Sequence, residues 1–168
     1  ILLISHLPTE FKWLSKAEIM KIPVLGWMMR LARDIPLQRG DTTSGRAALD
    51  QARERLASNV SVMIFPEGTR SKTGEMQKFH AGAFKLAIQG QHPILPIAVH
   101  GTRDCLRKDD WRLGRATAEV RVLEPISTEG MTDDDLPALR TQVRAAIEAG
   151  RQALRDEHGY LPPVGLER

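Results

Sequence analysis

Val60-Ser61-Val62-Met63-Ile64-Phe65-Pro66-Glu67-Gly68-Thr69-Arg70-Ser71 is the stretch whose reading decides the fold. Its first half is a short apolar run bounded by turn residues, as expected of a strand buried on both faces of a sheet. Its second half follows that strand directly and so falls at the carboxyl edge of the sheet, where open α/β folds bind ligands. The composition there suits a phosphate. Gly68 lets backbone N–H groups approach an anion closely, Thr69 and Ser71 offer hydroxyl donors, and Arg70 presents a planar fork matched to phosphate oxygens. Lys72 adds a point charge. Glu67 would repel a phosphate, so its place is to orient Arg70 or to accept a hydrogen bond from a ligand hydroxyl. A plain tight turn in which Glu67 and Arg70 only pair with each other accounts for the same composition.

Working outward, Ile94-Leu95-Pro96-Ile97-Ala98-Val99 reads as a second buried strand, and Glu119-Val120-Arg121-Val122-Leu123 alternates as a half-exposed strand does. Helices fall between them. Thr43 or Ser44 is placed to cap one that runs to about Ser58, with Ala48, Leu49, Ala52 and Leu56 as its apolar stripe. Lys78 to Gln89 is the next, ended by Gly90. In the last, Thr132 and Asp135 fit a capping arrangement ahead of Leu136, Leu139, Val143, Ile147 and Leu154 at helical spacing. Strands and helices in alternation predict an α/β fold: one domain with a mixed, mainly parallel sheet flanked by helices, over residues 1–160. Residues 161–168, with Pro162, Pro163 and Gly165, read as a tail.

Composition sets the outer bounds. The chain has 168 residues, 42% hydrophobic and 27% charged, which is ordinary for one globular domain. A net charge of +3 is a mild bias toward anionic partners and indicates no nucleic-acid partner. The excess is concentrated between Lys12 and Gly40, where six basic residues face two acidic ones. The single cysteine, Cys105, excludes an internal disulfide and fits a reducing compartment. No Cys/His cluster has metal-ligand spacing, so no metal site is expected. The apolar run Ile22 to Met29 is far shorter than the roughly 20 residues of a spanning helix. Ile1-Leu2-Leu3-Ile4-Ser5 has neither a methionine nor a basic leader, and is expected to continue from sequence ahead of it.

Phe65 to Ser71 resembles the FPEGTRS block of the glycerophospholipid acyltransferase family, which includes the lysophosphatidic acid acyltransferases. Three more blocks stand in that family's order. Lys12 to Glu18 followed by Ile22-Pro23-Val24-Leu25-Gly26-Trp27 resembles the segment after its first motif. Ile35-Pro36-Leu37-Gln38-Arg39 resembles the second motif, and Pro93 to Val99 resembles the fourth. The resemblance covers roughly residues 1–125. It implies transfer of a fatty acyl group from a thioester, acyl-CoA or acyl carrier protein, to the free hydroxyl of 1-acyl-glycerol-3-phosphate, giving phosphatidic acid in phospholipid biosynthesis. No cofactor is implied beyond that co-substrate. It also implies that Arg39, with Glu67, Gly68, Thr69, Arg70, Ser71 and Lys72, holds the acceptor's phosphate. Acceptance of another lysolipid, or a catalytically silent lipid-phosphate binding module, are the alternatives.

The family's first motif pairs a histidine general base with an aspartate, four residues between them. Five positions after His6, His80, His92, His100 and His158 stand Phe11, Lys85, Ile97, Cys105 and Pro163, so the motif is absent from this sequence. The expectation is that it lies just ahead of Ile1, that no catalytic residue belongs to this chain, and that the chain alone is inactive. His100 and Asp104 come near the spacing just beyond a strand, but a histidine there reads as a hydrogen-bonded structural residue. Lys21 to Arg33 sets Val24, Leu25, Trp27, Met28, Met29 and Leu31 among Lys21, Arg30 and Arg33. An interfacial helix would look so, with Val24, Leu25, Trp27, Met28 and Leu31 against membrane or acyl chain. A core helix led in by Pro23 would look similar. The expected place is the cytoplasmic face of a membrane, peripheral in this chain, with lysophosphatidic acid, the acyl donor and the membrane surface as partners.

Overall fold

The computed structural model describes residues 10–38, 40–71, 73–102, 114 and 117–158. The chain divides into two compact units, Ile1–Gly68 and Thr69–Arg168.

The first unit is built on a parallel sheet. Strand β1 (Phe11–Lys16) lies between β2 (Ile35–Leu37) and β3 (Ser61–Met63), with Leu14 opposite Ile35 and Phe11 opposite Ser61. The sequence reading anticipates β3 but neither β1 nor β2. Both are short, and Lys12, Lys16 and Pro36 dilute their apolar signal. Pairing supplies what the pattern lacks: Ile35 is wholly buried, and the Trp13 amide donates to Asp34 Oδ1 at 2.9 Å, tying β1 to the entry of β2. A 3₁₀ turn, Ala17–Lys21, leads into helix α1 (Leu25–Leu31), and β2 leads into helix α2 (Thr42–Ala57). Helix α2 packs on all three strands through Ala48 and Ala52, whose small side chains let the helix approach the sheet. Its cap is Asp41 rather than Thr43 or Ser44. The Asp41 carboxylate accepts from the Thr43 and Ser44 amides at 2.8 and 3.2 Å, while the Ser44 hydroxyl turns back to accept from the Gln38 amide.

The second unit holds helix α3 (Gly82–Gly90), the antiparallel pair β4 (Ile97–His100) and β5 (Glu119–Val122), and helix α4 (Leu136–His158). Helix α3 starts four residues later than its pattern suggests, and ahead of it the Arg144 side chain engages the carbonyls of Met76 and Gln77. Strand β4 starts after Pro96, which cannot donate to a ladder; its carbonyl accepts from Leu123, and Ile94 bridges separately to Ile126. Gly90 is the last residue of α3, but the left-handed position falls on Gln91. That side chain donates to the carbonyls of Ile88 and Met131 and accepts from the Gly130 amide, which holds a conformation glycine would otherwise be expected to supply. The core gathers Met76, Phe79, Phe84, Ile88, Leu139 and Val143, flanked by Leu136 and Ile147 from the stripe that the sequence assigns to α4. Thr132 and Asp135 form the expected capping box. Gly150 lets α4 lie on β4: a Cβ there would meet Ala98 and Leu123 side-chain atoms at 2.9 and 3.0 Å. The architecture is a mixed α/β one, with a parallel sheet flanked by helices.

Candidate active site

Strand β3 delivers the phosphate-suited stretch to the carboxyl edge of the parallel sheet, as its position in the sequence requires. Phe65, Pro66, Glu67 and Gly68 make a β-turn closed by the Gly68 amide donating to the Phe65 carbonyl at 3.0 Å. Pro66 sits where its fixed φ favours the corner, and Gly68 takes a φ of +68°, which a side chain would strain. Before the turn, the Phe65 ring stacks on Trp13 of β1 at 5.6 Å, and Phe11 meets Trp13 edge-on at 5.3 Å. These rings brace the start of the turn against the central strand, a contact between residues some 50 positions apart that no local pattern pairs.

Beyond Gly68 the stretch continues into the second unit. Arg70 is exposed, while Thr69 and Ser71 are half-buried. The Ser71 hydroxyl accepts from the Gly74 amide at 3.0 Å and lies 3.3 Å from that of Thr73, so it closes a local turn. The Gln77 side chain donates to the Thr69 carbonyl at 3.4 Å. Helix α4 holds the loop that follows: Arg151 donates to the Gly74 carbonyl at 2.9 Å, and Arg144 donates to the carbonyls of Met76, at 2.8 Å, and Gln77. The Arg144 guanidinium also lies 5.4 Å over the Phe79 ring. Neither arginine carries a local signature, since each acts on backbone distant in the sequence; their positions beside the buried stripe of α4 are the only hint.

Arg39 and Lys72, both expected to hold phosphate, lie outside the described residues. So does Asp104, while His100 ends β4 opposite Glu119. Among the described residues, no group of three or more His, Cys, Asp or Glu side chains stands together as metal ligands do.

Helix α1 turns its apolar residues outward. Val24, Trp27 and Leu31 are each 65% exposed or more, and Leu25 and Met28 are exposed as well. Its inner contact is Gly26, where a Cβ would stand 2.1 Å from the Met20 carbonyl oxygen, so the absence of a side chain sets the approach. Pro23 does not open the helix. The Leu25 amide donates to the Pro23 carbonyl at 2.7 Å around Val24, whose φ of +64° is uncommon for a β-branched residue. Lys21, Arg30 and Arg33 are exposed alongside. Among the described residues no helix is long and apolar enough to cross a membrane.

A family model described as Acyltransferase matches residues 1–100. The human 1-acyl-sn-glycerol-3-phosphate acyltransferase alpha is 38% identical over 95% of this chain and 58% of its own length. The Saccharomyces cerevisiae 1-acyl-sn-glycerol-3-phosphate acyltransferase is 36% identical over 89% of this chain and 49% of its own length. The crystal structure of the 1-acyl-sn-glycerophosphate acyltransferase PlsC from Thermotoga maritima aligns with a TM-score of 0.74 at 28% identity, covering 86% of this chain and 57% of that one. The chain thus spans about half the length of the curated relatives it matches.

Proposed function

This chain belongs to the acyltransferase family, and from that premise we propose that its protein transfers a fatty acyl group from a thioester to 1-acyl-glycerol-3-phosphate, giving phosphatidic acid. The observation that carries the reading is the Phe65–Gly68 turn at the carboxyl edge of the parallel sheet, running on into Thr69, Arg70 and Ser71. Its support is the shared name of relatives 36 and 38% identical over most of this chain.

In this reading the free hydroxyl of the acceptor attacks the thioester carbonyl carbon. The new ester C–O bond forms as the C–S bond breaks, and the hydroxyl proton passes through a general base to the departing sulfur. The resemblance assigns that base to a histidine paired with an aspartate. This chain's part is to hold the acceptor. The Gly68 turn brings backbone close to the phosphate, Arg70 and Arg39 offer forked donors, Thr69 and Ser71 offer hydroxyls, Lys72 adds charge and Glu67 orients Arg70. Fixing the phosphate fixes the hydroxyl relative to the thioester, and positioning of this kind supplies a large share of the rate. Val24, Leu25, Trp27, Met28 and Leu31 rest on the membrane that holds both lipid chains, with Lys21, Arg30 and Arg33 toward anionic headgroups at the cytoplasmic face. The donor is acyl-CoA or an acyl carrier protein.

The test follows thioester consumption by the full-length protein with lysophosphatidic acid as acceptor. Arg70→Ala is expected to raise the acceptor KM at least tenfold and leave the donor KM within twofold. Equal rises for both would sink the assignment of Arg70, and no turnover by the intact wild-type protein would sink the reaction.

A further inference from the structure

Besides the turn at Gly68, the second unit carries another place suited to an anion. Lys78, Phe79, Arg140, Thr141 and Arg144 line an open cleft of about 350 Å³, with three cations and no acid in its wall. The cations are not equivalent. Arg144 is committed to the Met76 and Gln77 carbonyls and to the Phe79 ring, so it forms a fixed cationic floor. Lys78 and Arg140 make no hydrogen bond or ion pair among the described residues, which leaves their donors for a ligand. The Thr141 hydroxyl donates to the Pro137 carbonyl at 2.9 Å, so the cleft's donors are its cations.

Of the acids on this side, Asp135 accepts from Thr132 and Glu148 pairs with Arg151 and Arg155, while Asp133 and Asp134 stand ahead of the helix and do not line the cleft. Phe79 is buried beneath the Arg144 guanidinium, and the hydrogen-bond donors the cleft offers suit a phosphate.

The geometry points to this cleft as the place that takes a phosphate ester of the acyl donor. The inference rests on the acyl-transfer reading, in which the acceptor's phosphate is already held by the Gly68 turn. A thioester donor brings phosphate of its own, as the 3′-phosphate and pyrophosphate of coenzyme A or the phosphodiester of a carrier-bound phosphopantetheine. The cleft belongs to the same loop as the acceptor stretch, because Gln77, next to Lys78, donates to the Thr69 carbonyl.

The experiment titrates adenosine 3′,5′-bisphosphate, 4′-phosphopantetheine and inorganic phosphate into the full-length protein by calorimetry, for wild type, Arg140→Gln and Lys78→Gln. Steady-state KM values for donor and acceptor are measured in parallel, and circular dichroism confirms folding. Both substitutions are at partly or fully exposed side chains, which guards against loss of the fold. The expected result is that the bisphosphate or phosphopantetheine binds at least tenfold more tightly than inorganic phosphate. Each variant weakens that binding at least tenfold and raises the donor KM, with the acceptor KM unchanged. Preference for the bisphosphate assigns the cleft to coenzyme A, and preference for phosphopantetheine assigns it to the carrier's arm. Equal binding of inorganic phosphate, or equal rises in both KM values, would overturn the inference. Variant-sensitive binding in a wild-type protein that transfers no acyl group would keep the phosphate site and reject the acyl-transfer reading, so the two failures are distinguishable.

Discussion

Replacing Arg144 with methionine isolates what the last helix contributes to the loop after the acceptor stretch. Methionine keeps an unbranched apolar stem over Phe79 and removes only the guanidinium. Two hydrogen bonds from a charged donor to the Met76 and Gln77 carbonyls disappear, and so does the contact with the Phe79 ring. A hydrogen bond to a charged group contributes about 1.5–3 kcal/mol net, and a cation over an aromatic ring about 0.5–1 kcal/mol at a part-exposed site. Taking the low end for bonds that share one donor group, the loss is about 3 kcal/mol, roughly a hundredfold in the unfolding constant. Arg151→Met, which gives up one bond to the Gly74 carbonyl and a part-exposed ion pair with Glu148 that contributes little, is expected to cost about half as much, near 1.5 kcal/mol. Urea denaturation followed by circular dichroism measures both, with an unchanged m value certifying that the midpoint shift is a stability change. A loss below about 0.5 kcal/mol for Arg144→Met, typical of an uninvolved surface position, would refute the reasoning, as would a larger loss for Arg151→Met.

Three further outcomes are expected. Thr128→Val removes a buried hydroxyl that donates to the His92 carbonyl at 2.8 Å and leaves that carbonyl unsatisfied; a loss of about 1–2 kcal/mol in the same urea assay is expected, and no loss would mean water replaces the hydroxyl. Gly26→Ala sets a gain in helix propensity of about 1 kcal/mol against a Cβ that meets backbone rather than a movable side chain, so net destabilisation of about 1–3 kcal/mol is expected, and a rise in thermal midpoint would show that α1 is not pinned to Met20. Asp135 has its carboxyl held below the ordinary range, first by the Thr132 amide and then by the Thr132 hydroxyl. A depressed folded-state value means that this cap stabilises above the ordinary aspartate range and is lost as pH falls through the lowered value; Asp135→Asn should flatten that acid limb of the stability profile, and an unaltered limb would count against it.

Local chemistry alone determined several parts of this protein. The apolar run at Val60 and the turn residues after it require a strand that ends in a tight, donor-rich turn, and β3 with the Gly68 turn is what forms. The spacing of Leu136, Leu139 and Val143, with Thr132 and Asp135 ahead of them, requires a capped amphipathic helix, because caps and periodicity act within a few residues. Other features were beyond the reach of local pattern. Strands β1 and β2 carry charge and a proline and exist because each finds a parallel partner. Gln91 holds the left-handed position beside Gly90 because Gly130 and Met131, about 40 residues on, supply its partners. The same Lys21 to Arg33 pattern fits a core helix and an interfacial one, and only the packing of Gly26 on Met20 decides that the apolar side faces outward. Arg144 acts on carbonyls 67 and 68 residues away, and Trp13 stacks on a ring at the far side of α2 in the sequence. Such contacts depend on where the chain returns in space, which tertiary packing sets and periodicity does not encode.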